Sequence, residues 1–313
     1  MARTSLLLAL VIAAAASPAA ALDDARWLSP DADRTAALTT APAECLSRPA
    51  DAETAWRVAL GRVAFRSPAL LGGLAARSGM SCDTCHRNGH GNPAFFIAGV
   101  SDAPGTADVT SAVFSQSRGD GIDNPVPIPD LTGVGAKSRF GTMRPADGLS
   151  AFVHSVIVEE FQGAEPSPIV LEALVAYLTA LDPQACPTAR TAALTFAGAA
   201  KDLADTYAVL LGALDRHDPA TADVVLRSLN LALGRLAQRF PDAPESSATL
   251  PSLGRDLAAI RPLLAARPDD ARKALAAWRA RLDETLAVLA RHEGGSLFER
   301  AAVERFLAGA PGR

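Results

Sequence analysis

An all-α fold in two parts is what this chain predicts: a loop-rich helical unit over residues 22–188, then an antiparallel helical bundle over residues 189–313. Three observations carry that expectation. Gly, Pro and turn signals punctuate the first part around short helical patches. After Pro187 the chain becomes rich in Ala, Leu and Arg, and its apolar residues recur with helical spacing. The whole has 313 residues, 49% hydrophobic and 20% charged, which is length for two modest domains and an ordinary globular composition.

The chain opens with Met1-Ala2-Arg3, an apolar run from Leu6 to Ala16, and Ala19-Ala20-Ala21. One positive charge, a short apolar stretch and an A-x-A pattern read as a secretory signal peptide over residues 1–21, cleaved to start the mature chain near Leu22. An uncleaved membrane anchor is the alternative. No later stretch is long and apolar enough to span a bilayer.

Past a helical patch over Ala52–Phe65 comes Cys82-Asp83-Thr84-Cys85-His86. Two thiols two residues apart with a histidine directly after them form the attachment sequence for a c-type haem. The two thiols add to the two vinyl edges of one porphyrin, so they stand about one tight turn apart. The next residue then lies under the ring, where its imidazole reaches the iron. Cys82 and Cys85 are thus expected to hold one covalent haem c, with His86 as proximal ligand. A zinc site would need a second ligand pair, and the other cysteines, Cys45 and Cys186, stand alone. A redox dithiol would need no histidine. Haem is attached outside the cytoplasm, so motif and signal agree on an exported, periplasmic protein. In that oxidising compartment a Cys45–Cys186 disulfide would tie together the ends of the haem-bearing unit; two buried free thiols are the alternative.

Gly99 to Asp130 is irregular, marked by Pro104-Gly105, Gly119-Asp120-Gly121 and Pro125, Pro127 and Pro129. The second axial ligand follows by elimination. Once Met1 has left with the signal, Met80 and Met143 remain. Met80 lies two residues before Cys82 and is held at the ring edge. Met143 lies 57 residues after His86, far enough for the chain to pass around a porphyrin and return on its other face. Met143 is the expected distal ligand and His154 its rival, while His90, four residues after His86, stays on the proximal side. Arg118, Lys137, Arg139 and Arg144 cluster on the approach to Met143, and Arg139 is the candidate for a haem propionate. Helical patches over Leu149–Phe161 and Pro168–Leu181 close this part. Glu159 and Glu160 in the first of them are the best carboxylate candidates for acid–base work, although a solvated helix end explains them as well.

In the second part Val225, Leu229, Leu233, Leu236 and Phe240 fall on one helical face, as do Leu275, Trp278, Leu282, Leu286 and Leu289. Asp218-Pro219 and Pro268-Asp269 read as helix starts, and Ser296 with Glu299 as a capping box. Four or five antiparallel helices would bury those faces.

The segment Leu60-Gly61-Arg62-Val63-Ala64-Phe65-Arg66-Ser67-Pro68-Ala69-Leu70, running on to Ser81-Cys82-Asp83-Thr84-Cys85-His86, resembles the opening of the first haem unit in the bacterial cytochrome c peroxidase and MauG-like family. Ile128-Pro129-Asp130-Leu131-Thr132-Gly133-Val134 resembles a later segment of that family, and Leu149–Phe161 with Leu171–Leu181 its closing helices. The resemblance covers about Leu60 to Leu181 and implies a cytochrome c-like haem domain with Cys82, Cys85 and His86 as its haem residues. Family peroxidases carry two such haem motifs and this chain has one. Where the family has a histidine, the matching stretch reads Ser138-Arg139-Phe140-Gly141-Thr142-Met143.

Residues 1–188 hold 13 Lys and Arg against 19 Asp and Glu, whereas residues 189–313 hold 17 against 15. An acidic haem-bearing part argues against nucleic acid and suits a basic redox partner protein. The expected function is single-electron transfer through one haem. The alternative is a single-haem peroxidase, or the haem subunit of a periplasmic oxidoreductase, with His154 or Glu160 as acid–base group.

Overall fold

The computed structural model describes residues 22–115, 117–141, 145–186 and 191–309. The expected signal segment 1–21 lies outside them. Short polar caps set the first elements. The Asp33 carboxylate accepts the Ala36 amide at 2.9 Å and starts helix α1 (Arg34–Thr39). Strand β1 (Thr40–Pro42) follows. Asp51 accepts the Thr54 amide at 2.7 Å and starts α2 (Ala52–Phe65). Then come α3 (Gly73–Arg77), the single turn α4 (Cys82–Cys85), the antiparallel pair β2 (Thr106–Ala107) and β3 (Val126–Pro127), and α5 (Leu149–Ser155), which runs on into a π-helical stretch over Val156–Glu160. Helix α6 (Pro168–Ala180) ends this part. The expected helical patches therefore form within about a residue of their bounds.

Helices α2 and α6 make the frame. Gly61 lets them cross closely, because a Cβ there would overlap the carbonyl of Ala173. Phe65 packs on Tyr177 with ring centroids 5.2 Å apart, and Val58, Val170 and Leu174 are buried beside them. The Cys45–Cys186 disulfide forms, with Cα atoms 5.3 Å apart. Backbone bonds align its surroundings: the Asp182 amide donates to the Cys45 carbonyl and the Ser47 amide to the Ala180 carbonyl.

Strand β4 (Thr191–Ala193) returns to pair antiparallel with β1, in the register Thr40 to Ala193. The chain then runs through α7 (Phe196–Asp215), α8 (Pro219–Gln238), α9 (Pro244–Ser247), α10 (Thr249–Ile260), α11 (Leu263–Ala266), α12 (Pro268–Ala290) and α13 (Arg300–Gly309). The fold is mostly helical with a few short strands, and the two helical stripes read from the sequence are its core: Val225, Leu229, Leu233, Leu236, Phe240, Leu275, Trp278, Leu282 and Leu289 are all buried. Asp218 caps α8 through the Thr221 amide at 3.0 Å. The capping box at Ser296 takes another form. Ser296 Oγ donates to the Glu293 carbonyl, and α13 begins at Arg300 with the Glu299 carbonyl as its first acceptor.

The apolar cluster of the bundle does not stop at residue 189. Leu60, Val63 and Ala173 belong to it, with Trp56 packed alongside. The Trp56 indole fits over Gly212 and carries the Arg216 guanidinium 3.7 Å above its ring, while Arg216 pairs with Glu53. Helix α2 thus buries one face against α6 and another against α7 and α8.

Candidate functional site

The turn α4 is nucleated at Ser81, whose backbone amide donates to Thr84 Oγ1 at 3.0 Å. One turn of helix puts Cys82 and Cys85 about a residue short of a full revolution apart, so both face the apolar interior. Cys82 joins the cluster around Leu70, Leu131, Val134 and Phe152; Cys85 joins that of Met80, Phe95, Phe114 and Phe161. The two thiols are not bonded to each other. Burial pushes Cys82 up to about 12 and Cys85 higher still. Neither is the low-pKa thiolate on which redox dithiols depend.

His86 follows at the C-terminal end of that turn. Its Nδ1–H donates to the carbonyl of Pro129 at 3.0 Å, and Nε2 makes no hydrogen bond to any described residue. Burial holds the imidazole below its ordinary pKa, with the Pro129 contact opposing. The ring is thereby kept neutral and fixed in one tautomer, with the Nε2 lone pair free, which is how a metal-ligating histidine is prepared.

The Pro129 carbonyl is itself held by its neighbours. The Leu131 amide donates to Gly89, and the Gly133 amide to Leu181. His90 Nδ1 lies 2.7 Å from Asp130 Oδ2 and its Nε2 3.1 Å from the Ala43 carbonyl, so His90 ties this segment to the one after β1. Gly91 has no side chain because the Ile128 carbonyl occupies the space a Cβ would take. Asp130 also accepts the Thr132 amide and hydroxyl, which keeps its carboxyl below the usual range despite partial burial.

The other sequence candidates fall as follows. Met80 is buried beside Phe95, at the Cys85 edge. Met143 and Arg144 lie outside the described residues. Arg139 is exposed. His154 Nε2 lies 2.9 Å from both carboxylate oxygens of Glu165 at the surface. Glu160 differs from a solvated helix end. It is 7% exposed, with Oε2 3.4 Å from Arg118 Nη1, and burial lifts its carboxyl to about 7 against the pull of Arg118. It lies within electrostatic reach of both Cys82 and Cys85.

These residues fit a covalently held haem: two unpaired thiols on one turn, walled by aromatic and aliphatic side chains, and an oriented imidazole with one nitrogen free. Among the described residues no group of three or more His, Cys, Asp or Glu gathers closely enough to hold a bare metal ion. Sequence reading missed the Pro129 carbonyl and the Glu160–Arg118 pair. Both are contacts across about 40 residues, and only the first had a local signal, the triplet Ile128-Pro129-Asp130. A cavity of about 760 Å³ lies beside α4, lined by Asp83, Thr84 and Arg87 rather than by Cys82, Cys85 or His86.

No family model, curated protein or solved structure matches this chain.

Proposed function

We propose that this protein is an exported mono-haem c-type cytochrome that carries single electrons in the periplasm. The observation that carries the reading is the pairing of His86 Nδ1 with the Pro129 carbonyl at the end of the Cys82–Cys85 turn. Bound there, a haem supplies an iron centre that changes by one electron between ferric and ferrous states. Cys82 and Cys85 would hold it by two thioether bonds, and His86 Nε2 would ligate the iron from the proximal side. Met143 is the proposed distal ligand. Phe95, Phe114, Phe140 and Phe152 supply apolar walls around the two thiols, a setting that suits electron transfer better than substrate chemistry. The Cys45–Cys186 disulfide supports an oxidising compartment, and no helix among the described residues is long and apolar enough to cross a membrane. The acidic character of residues 1–188 supports a basic redox partner.

One observation favours the alternative of a single-haem peroxidase: the buried Glu160 carboxyl, with a pKa of about 7, is suited to moving a proton near the thiol edge. Optical spectra of ferric and ferrous protein, wild type beside Met143→Ala, separate the two. The carrier reading expects a low-spin wild type with the weak red-region band of iron–sulfur ligation, lost in Met143→Ala. A high-spin wild type that reacts quickly with peroxide overturns it in favour of the enzyme. A chain that releases all its colour on acid–acetone extraction overturns the covalent attachment.

A further inference from the structure

The 760 Å³ cleft behind α4 is open between the first unit and the bundle, and its charges are not evenly matched. One end is balanced. Arg62 and Arg66 share Glu44 and Asp202, with Arg62 Nε 2.6 Å from Glu44 Oε2 and Arg66 Nη1 3.3 Å from Asp202 Oδ2, and Lys201 pairs with Asp205. The other end brings Arg87, Arg235 and Arg239 around a single carboxylate, Asp24.

Two of those three guanidiniums have evident structural work. Arg87 Nη1 donates to the Ala37 carbonyl at 2.7 Å, and Arg239 Nη1 to the Leu38 and Leu297 carbonyls at 2.7 and 2.8 Å. They hold consecutive carbonyls at the C-terminal end of α1, a natural place for cations. Arg235, one helical turn before Arg239 on α8, has no such work. It makes no hydrogen bond and no ion pair within 4 Å to any described residue, and its Nε is buried without a partner. Asp24, 3.6 Å from Arg239 Nη2, is the nearest compensation for all three. Burial and the neighbouring Arg87 both work against the charge on Arg239, and Asp24 alone opposes them. Three guanidiniums therefore face one carboxylate at that end, although Asp83 beside Arg66 at the other end brings the whole lining to six cations against five carboxylates, in a cleft large enough for a small molecule.

We propose that this end of the cleft binds a small dianionic molecule, with the phosphate or paired carboxylates received by Arg235 together with Arg87 and Arg239. Planar guanidinium forks match carboxylate and phosphate oxygens two at a time, and a ligand oxygen would give the orphaned Arg235 Nε its missing acceptor. Thr206 and Ser228 also line the cleft, but their hydroxyl protons go to the Asp202 and Val224 carbonyls, which leaves them only as acceptors toward the remainder of the molecule. The site lies outside the Cys82, Cys85 and His86 constellation, so it stands whether or not the haem reading does.

Calorimetric titration of the whole purified protein at low ionic strength tests this, with inorganic phosphate and succinate as separate probes. The expected result is one-to-one binding of at least one probe, weakened about ten-fold or more by Arg235→Gln and only partly restored by Arg235→Lys, which keeps the charge and loses the fork. Which probe binds tighter distinguishes a phosphoryl from a dicarboxylate ligand. Arg235→Gln removes no hydrogen bond to a described residue, so its circular dichroism should match wild type. Arg300→Gln, paired with Glu304 on α13 and outside the cleft, should leave the affinity unchanged. Failure of both probes to bind overturns the proposal, as does binding that Arg235→Gln leaves intact.

Discussion

Glu160→Gln should change how stability depends on pH, and the structure sets its size. The carboxyl is 7% exposed, and Arg118 is its one charged partner among the described residues. Burial raises its pKa from 4.5 to about 7 in spite of that partner. The folded protein therefore holds this proton more tightly than the unfolded chain does. The stabilisation is fully present below about pH 4.5 and is lost as pH rises through about 7. A rise of this size corresponds to about 3 kcal/mol. Gln keeps the shape of the protonated acid and cannot ionise, and the pull of Arg118 is already contained in the value of about 7. The variant should thus be more stable than wild type by about 3 kcal/mol near pH 8 and by less than about 1 kcal/mol near pH 5. Urea unfolding curves at four pH values, with the disulfide kept oxidised, read this directly. Burial pushes the Cys82 and Cys85 thiols up and out of this window. Parallel pH profiles for the two proteins would refute the burial argument.

Three further outcomes follow from the packing. Cys186→Ser should destabilise the oxidised protein by up to about 4–5 kcal/mol on the chain-entropy model, because the bridge closes a loop of 141 residues; reductant should remove most of the difference in a thermal melt. Gly91→Ala should push the Ile128 carbonyl away and take Pro129 off His86, costing about 1–3 kcal/mol. Its readout is a nitrogen-resolved NMR spectrum, in which the His86 Nδ1 proton loses its protection from exchange; an unchanged resonance would count against the Pro129 contact. Trp56→Ala should cost about 3 kcal/mol by emptying the space between α2 and α7, measured by denaturant midpoint, and Trp56→Phe should recover part of it.

Legibility in the sequence followed the range of each interaction. The bundle helices announce themselves through residues three and four apart, so Leu229, Leu233 and Leu236, or Leu275, Trp278 and Leu282, could be placed in a core without knowing what they pack against. Asp218 and Pro219 do the same for a helix start. The Cys45–Cys186 bridge was legible because compartment and cysteine count leave few partners. Pairings across long separations were not. The three-residue ladder of β1 with β4 joins segments about 150 residues apart and has no period to detect. Glu160 looked like a helix end in water because nothing local says that Arg118, 42 residues earlier, folds over it. The surplus charge near Asp24 is assembled from α8, the residue after His86 and the first turn of the described chain.

Helix α2 is a party wall. Its Gly61 face leans on α6, near the thiols, and its Trp56 and Val63 side is shared with the bundle. Neither half has a complete surface without it. A loosening that begins among the bundle's leucines reaches the neighbourhood of Cys82 through one rigid rod rather than through a string of side chains. The two halves are therefore expected to melt together, and cutting the chain near residue 188 would leave a raw apolar flank instead of a smaller protein.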